Sequence, residues 1–344
     1  GISVGKGANA VAGNTVLGES ALDASVSGGN NTAIGKNTLT ALTSGVNNTA
    51  VGGVALQANT TASHNSAFGY YALGANTTGT QNTGIGKDAL SANTTANDNT
   101  ALGFKALEAN TTGYSNTAVG SNSGNAVTTA NDCTFIGEEA GKDITDGQFN
   151  TFIGSSAGSN TNSGTYLNTF VGYQAGNNNG NGNHNVFMGA NAGLNNEAWD
   201  NVFIGNYSGD ANTSGTQNLF VGKNSGTANT TASYNVFLGH EAGKANTTGA
   251  QNTAVGFHSL LTSTTASENT SVGFESLKET TTGASNTAVG HQCGTNNTTG
   301  TRNVAMGNTT LFYNTTGSDN TAIGRGALSA NTTGTQNVAV GTFA

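Results

Sequence analysis

Proline is absent from all 344 residues, and charged residues make up only 8%, against about 25% in an average soluble protein. A chain with no proline spares every backbone N–H, which a strand hydrogen-bonded on both sides requires. The formal net charge of −8 disfavours nucleic-acid binding, which wants a basic stripe. No apolar run approaches the length of a membrane span, and no signal peptide is visible. The two cysteines, Cys133 and Cys293, lie more than nine repeats apart, roughly 40 Å at ~4.8 Å per coil. That is too far for a bridge, and each reads as a small buried hydrophobe. The chain starts at Gly1 without methionine and stops at Ala344 just after a repeat phrase. Those ends suggest a processed product or a piece of something longer.

What the chain has instead is a period. A five-residue phrase, Asn-Thr-small-apolar-Gly, closes on Gly18, Gly35, Gly52, Gly69 and so on to Gly324 and Gly341. The step is 17 residues, apart from one of 18 (Gly154 to Gly172) and one of 16 (Gly189 to Gly205), which cancel. A fixed short period means one unit stacked on copies of itself. The expectation is an all-β parallel β-solenoid of about 20 coils, a single repeat domain over 1–344 with irregular coils about 133–217. Composition this polar also suits disorder, but the apolar residue in every copy and the missing proline favour order.

Each lap is numbered from its asparagine, so that Asn65 is position 1, Gly69 position 5 and Gln81 position 17. Positions 1–5 are expected to form a short strand, with the bend after the glycine, whose tolerance of positive φ suits a corner. Positions 7–10 (Tyr71 to Gly74) are expected to form a second short strand. Positions 12–15, such as Asn76-Thr77-Thr78-Gly79, carry turn chemistry. Position 1 is asparagine in every copy except Cys133, so Asn31, Asn48 and their equivalents are expected to stack amide on amide, with Gly35 and Gly52 stacked likewise.

Position 3 is small in most laps, as in Ala33 and Ala50, but is phenylalanine in seven consecutive ones: Phe135, Phe152, Phe170, Phe187, Phe203, Phe220 and Phe237. Every phenylalanine lap has glycine at position 9 (Gly141 and Gly243, for example), whereas the other laps have leucine there, except at Gly124 and Gly294. Large pairs with small, as close packing in one layer demands, so positions 3 and 9 are expected to touch. Position 4 is always apolar as well. Successive strand residues point to opposite faces, so both faces avoid water and one lies exposed on a lone chain. A parallel homo-oligomer, most simply a homotrimer, would cover it.

The first lap, Ile2-Ser-Val-Gly-Lys-Gly-Ala-Asn-Ala-Val-Ala-Gly13 into Asn14-Thr-Val-Leu-Gly18, is only 13 residues from glycine to glycine and resembles the head repeats of trimeric autotransporter adhesins. The longer laps, such as Asn82-Thr-Gly-Ile-Gly86 through Ala89-Leu90 to Asn93-Thr-Thr95, resemble repeats in phage tail-fibre-type proteins. The resemblance implies a left-handed, trimeric β-roll displayed outside the cell, on the cell surface or on a virion. It also implies attachment to a cell-surface glycan or protein receptor. The stalk and anchor of an adhesin and the self-cleaving C-terminal chaperone of such fibres are missing from this sequence, and both readings stand.

No P-loop, nucleophile elbow, zinc spacing or calcium nonapeptide is present, so the expectation is a non-enzymatic fibre segment without cofactor or catalytic residues. The five histidines are scattered. His240 and His258 come nearest, one lap apart at positions 6 and 7, and read as chance surface placement. Glu138, Glu139, Asp143 and Asp146 share one lap, but a glycosidase needs carboxylates across a cleft. A solvated face is the simpler reading, and a tailspike-like glycan-cleaving enzyme the alternative. Tyr166 and Trp199 mark the 18- and 16-residue laps; each is a candidate sugar-stacking ring or a local plug. Thr77, Thr78 and their repeats raise ice binding, which needs outward threonines at i and i+2 rather than adjacent ones. The Asn-Thr-Thr triplets are also glycosylation sequons in a secretory pathway.

Overall fold

A computed structural model describes residues 3–162 and 164–344. It is all-β, with no helix among the described residues. The chain divides into two compact units, 1–168 and 169–344. The first carries β1 (Ser3–Gly5), β2 (Thr15–Gly18) and eight strands from β3 (Thr32–Ile34) to β10 (Thr151–Ile153); the second carries eleven, β11 (Thr169–Val171) to β21 (Val338–Val340). Within each unit consecutive laps pair parallel and in register, Thr32 with Thr49 and Ala33 with Ala50 in the first, Thr253 with Thr270 in the second. Each unit is therefore a parallel β-solenoid with one strand per 17-residue lap.

The first lap departs from this. β1 runs antiparallel to β2, with Ser3 opposite Gly18 and Val4 opposite Leu17. It is a reversed edge rather than another stacked coil; Ile2 lies outside the described residues.

The strand occupies positions 2–4 only, and the second strand expected at positions 7–10 does not form. Tyr71 and Leu73, at positions 7 and 9, have φ of +56° and +51°, and most laps repeat this pair of left-handed residues. Such a residue costs roughly 1–2 kcal/mol over its right-handed form. The hydrogen bonds it permits offset that cost. Val54 N–H donates down to the Lys36 carbonyl (2.8 Å), while Leu56 and Ala58 N–H donate up to Ala72 and Gly74 (3.1 Å each). At the strand itself Thr32 N–H donates to Asn48 and Gly52 N–H to Ile34, both at 2.8 Å. Backbone donors are thus used around most of the lap, so the case against proline extends well beyond the strand.

The interior is filled from two sides. Position 3 points inward: Ala33, Ala50, Phe135 and Phe203 are all fully buried, as are the position-9 leucines Leu39, Leu56 and Leu73. Positions 3 and 9 do meet within one coil, for a Cβ on Gly158 would stand 2.6 Å from the Phe152 ring. In the second unit Phe170, Phe187, Phe203, Phe220 and Phe237 form an offset stack, centroids 4.9–5.0 Å apart and planes within 10°. In the first, Phe135 and Phe152 tilt at 50° and 5.7 Å. The two unmatched glycines have separate fates. Gly124 lies against the Phe135 ring of the next lap. Gly294, with no such neighbour, borders a void of about 10 Å³ lined by Leu277, Ala288 and Leu311.

The other side of the core is amide. Asn48 is fully buried; its N–H donates to Asn31 Oδ1 (2.9 Å) and its Nδ2 to the Ala62 carbonyl (2.9 Å). The same lock repeats lap after lap, as at Asn65, whose Nδ2 reaches the Gly79 carbonyl at 2.9 Å. A second ladder, read from sequence as turn chemistry, stands at position 12: Asn93 donates to Asn76 Oδ1 and Asn110 to Asn93 Oδ1, at 2.8 and 3.0 Å. It stops where the next lap has no asparagine. Asn110 Oδ1 faces the Val127 lap and Asn246 Oδ1 the Ser263 lap, and both oxygens are buried without a partner. Buried amides are stable only when bonded, which is why two asparagines per lap come with fixed spacing. Cys133 keeps part of the lock: its N–H donates to Asn116 Oδ1 and its thiol reaches the Gly147 carbonyl at 3.3 Å. Both cysteines are buried and free, and burial pushes the Cys133 thiol up to about 11 and that of Cys293 to about 12.

Candidate functional site

The outward faces of the laps carry whatever chemistry the molecule offers. On the strand, positions 2 and 4 point out while position 3 points in. The position-4 side chains are half-exposed apolar groups stacked in register: Leu17, Phe68, Ile85 and Leu102 in the first unit, Met188, Met306 and Ile323 in the second. Of the two arrangements open from sequence, the structure has the one with phenylalanines inside and the position-4 column outside. Beside it runs a second outward column at position 2, threonine in most laps (Thr83, Thr100, Thr117) and Val, Leu or Ser in others (Val202, Leu219, Ser66). Thr77 and Thr78 are not this face; they lie on the turn, where the Thr77 hydroxyl donates to the Thr94 carbonyl at 3.0 Å.

Both irregular laps keep the bond from the strand asparagine to a turn carbonyl. In the longer lap Asn150 Nδ2 still finds its turn carbonyl, now Thr165, at 2.8 Å. In the shorter one the Ala198 carbonyl accepts from both Asn185 (2.8 Å) and Asn196 (2.7 Å). Trp199 lies just after this shortened turn. Its indole N–H donates to the Asn181 carbonyl at 3.0 Å, and the ring is 55% exposed over a shallow depression lined by Asn181, Glu197, Ser214 and Thr216. It is fixed by that bond yet keeps much of its surface open. Tyr166 is exposed in the first unit and belongs to the strand-like bridge between Gln148 and Tyr166.

Glu138, Asp143 and Asp146 are exposed, and Glu139 pairs with Lys142 at 3.1 Å, so the four carboxyls lie on an outer surface. A different polar cluster is tighter. At position 6 of four successive laps His240, Phe257, Phe274 and His291 stack with centroids 5.1–5.4 Å apart. Beside them at position 7 stand Glu241, His258, Glu275 and Gln292. His258 Nε2 is 3.3 Å from Glu241 Oε2. Lys244 and Lys278 pair with Glu241 and Glu275 at 2.9 and 3.1 Å and hold both carboxyls below the usual range, Glu275 chiefly through a bond from Gln292. Sequence reading noted the two histidines but not Glu241 and Glu275, which stand in the laps on either side of His258. The His240-Glu241 pair followed one lap later by His258 was the available signal.

No protein-family model and no curated protein sequence matches the chain. Its surface chemistry must therefore be read from its own residues. Among the described residues no helix is long and apolar enough to cross a membrane.

One buried charge has a measurable consequence. Asp210, at position 10, has Oδ1 buried without a partner. Burial pushes its carboxyl up to about 6, against the opposing pull of the Asp210 and Ala211 amides. A raised carboxyl binds its proton more readily in the folded chain than in the unfolded one. Stability therefore falls as pH rises between about 4 and 6, and the loss is complete above that window. Asp210→Asn is expected to stabilise the chain by about 1–2 kcal/mol at pH 7–8, the effect being discounted for partial solvent screening. The gain should vanish below pH 4. Urea midpoints of both chains from pH 3 to pH 8 check this; a gain independent of pH would contradict it.

Proposed function

We propose that the chain is a non-enzymatic segment of an extracellular fibre, of the adhesin or viral tail-fibre kind, that works by rigid reach and attachment as a parallel homotrimer. The observation that carries this reading is the outward position-4 column. Apolar patches of ~300–600 Å² are about the largest a monomer exposes, and larger ones mark interaction surfaces. A partly exposed apolar side chain in every lap of a unit reaches that scale. Within each unit the column is in register, so its natural complement is an equally periodic surface, and another copy of this chain supplies one at the same spacing. The interior supports the mechanical role. Amide ladders and backbone bonds tie each lap to its neighbours, so no lap yields alone. Attachment to a surface glycan or protein receptor is the part of the reading that follows the family resemblance.

Sedimentation equilibrium is expected to return three chains per particle. Val221→Lys with Val255→Lys, both on the column, should return single chains with unchanged circular dichroism. A monomer from the unaltered chain at micromolar concentration would refute the assembly. Ice binding is the second reading, favoured by the outward threonines at position 2. The uneven neighbours Leu17, Phe68 and Leu102 work against a flat face, and thermal hysteresis of the unaltered chain would reveal it.

A further inference from the structure

We propose that His240, Glu241 and His258 form a site for a divalent transition-metal ion of the zinc type. Among the described residues they are the one group of three metal-ligating side chains whose donor atoms all lie within 4.8 Å of one another. The spacing comes from the fold. His240 and Glu241 are adjacent in one lap, and stacking in register places His258 one lap away, on the same arc of the surface.

The detailed geometry suits a cation better than a chance cluster does. Tetrahedral zinc with bonds of about 2.0–2.1 Å sets its donors roughly 3.3–3.4 Å apart. His258 Nε2 and Glu241 Oε2 are 3.3 Å apart. The other oxygen of Glu241 is already engaged, accepting from Lys244 Nζ at 2.9 Å and Asn224 Nδ2 at 3.3 Å. The carboxylate is thereby oriented, with Oε2 toward the histidine. The His258 ring leans on Phe257, centroids 3.7 Å apart, His240 stacks on the same Phe257 at 5.4 Å, and the two imidazole centroids are 6.0 Å apart. Both imidazoles are thus positioned by aromatic contact rather than by hydrogen bonds to their nitrogens.

The remaining nitrogen of His258 gives an independent indication. Nδ1 is buried and has no hydrogen-bond partner, and Glu275 Oε1 stands behind it at 3.9 Å. Metal-bound histidine commonly presents its second N–H to a carboxylate, which fixes the ring and raises its basicity. Glu275 is the carboxylate beside that nitrogen, oriented by Lys278 on Oε1 and Gln292 on Oε2 at 3.1 and 2.9 Å, and a shift of less than about 1 Å would bring it into hydrogen-bond range. The donors are three in number, with His240 on the exposed side, which leaves the fourth position of a tetrahedral ion facing solvent, as in open zinc sites. The competing arrangement is a protonated His258 shared between Glu241 and Glu275 with no ion. The two differ in whether His240 matters.

The test is titration of chelator-stripped protein with zinc chloride against a chromophoric chelator, with cobalt(II) chloride as a spectroscopic probe. The expected result is one zinc per chain in the micromolar range, with cobalt giving the intense visible bands of a low-coordinate site. His258→Gln and His240→Asn are the variants of choice, because Gln292 and Gln174 occupy position 7, and Asn206 and Asn308 position 6, in other laps. Each should weaken zinc at least tenfold without altering circular dichroism, and Glu275→Gln should weaken it about tenfold. His64→Asn, in the first unit, should change nothing. No binding by the unaltered chain, or binding that survives His240→Asn and His258→Gln together, would overturn the proposal. Loss with His258→Gln but not with His240→Asn would overturn it as well, since the three-donor set would not then exist.

Discussion

Gly307→Ala is expected to cost about 3–5 kcal/mol and to melt the laps on either side of it. The position-5 glycines turn the corner after each strand with φ between +123° and +157°, a region almost closed to side chains, and forcing one in costs about 1–3 kcal/mol. The corner is also where backbones stack without an intervening side chain. A Cβ on Gly307 would stand 2.7 Å from the Gly324 carbonyl oxygen, 2.8 Å from its carbon and 2.8 Å from the Thr310 hydroxyl. Two of those three atoms are backbone of the next lap, tied by the Gly324 N–H to Met306 bond of 2.8 Å, so the clash is relieved only by parting laps. Overpacking of that kind adds about 1–3 kcal/mol. Because neighbouring laps stabilise one another, hydrogen exchange should show lost protection spreading from about residues 290–324. An alanine variant with native protection there would mean that the corner has slack the structure does not show.

The period alone made the lap, its strand and its glycine corner legible, because each has one dominant physical cause that recurs every 17 residues. The pairing of Phe135 with Gly141 and of Leu73 with Ala67 was legible for the same reason: volume in a shared layer is conserved. Orientation was not. Positions 3 and 4 are both apolar or small, so hydrophobicity could not tell inside from outside, and only the path of the arc places Phe203 in and Ile204 out. The second strand was misjudged because alternating left-handed residues leave no pattern of polarity. Tyr71 and Leu73 look like an extended pair and are not. Asn76 and Asn93 were read locally, as turn formers, when their spacing also marks a buried ladder. The zinc-type cluster was half visible, since two histidines one lap apart invite attention only once Glu241 and Glu275 are seen to flank them. Side-chain function here depends on the seventeen-residue neighbour rather than on the adjacent residue.

That dependence is strongest at positions 3 and 9, where a compensating pair of substitutions should behave unlike either alone. Phe237 ends the phenylalanine column, stacked on Phe220 at 4.9 Å below and followed by Ala254 above. Phe237→Ala empties a fully buried site, and the cavity is expected to cost about 3–5 kcal/mol. Gly243→Leu alone should be at least as harmful, since a Cβ on Gly243 already clashes with the Phe237 ring. Together they convert the lap to the alanine–leucine type of its neighbour, where Leu260 sits at position 9 with φ of +54° and is fully buried. The backbone there accepts leucine, and Gly243 has nearly the same φ of +58°. The double variant should therefore recover all but about 1–2 kcal/mol, a coupling of several kcal/mol between two residues six apart in sequence. Additive losses in a double-mutant cycle by urea denaturation would show that the two positions do not share a layer. Recovery would show that phenylalanine and leucine laps are two equivalent fillings of one coil.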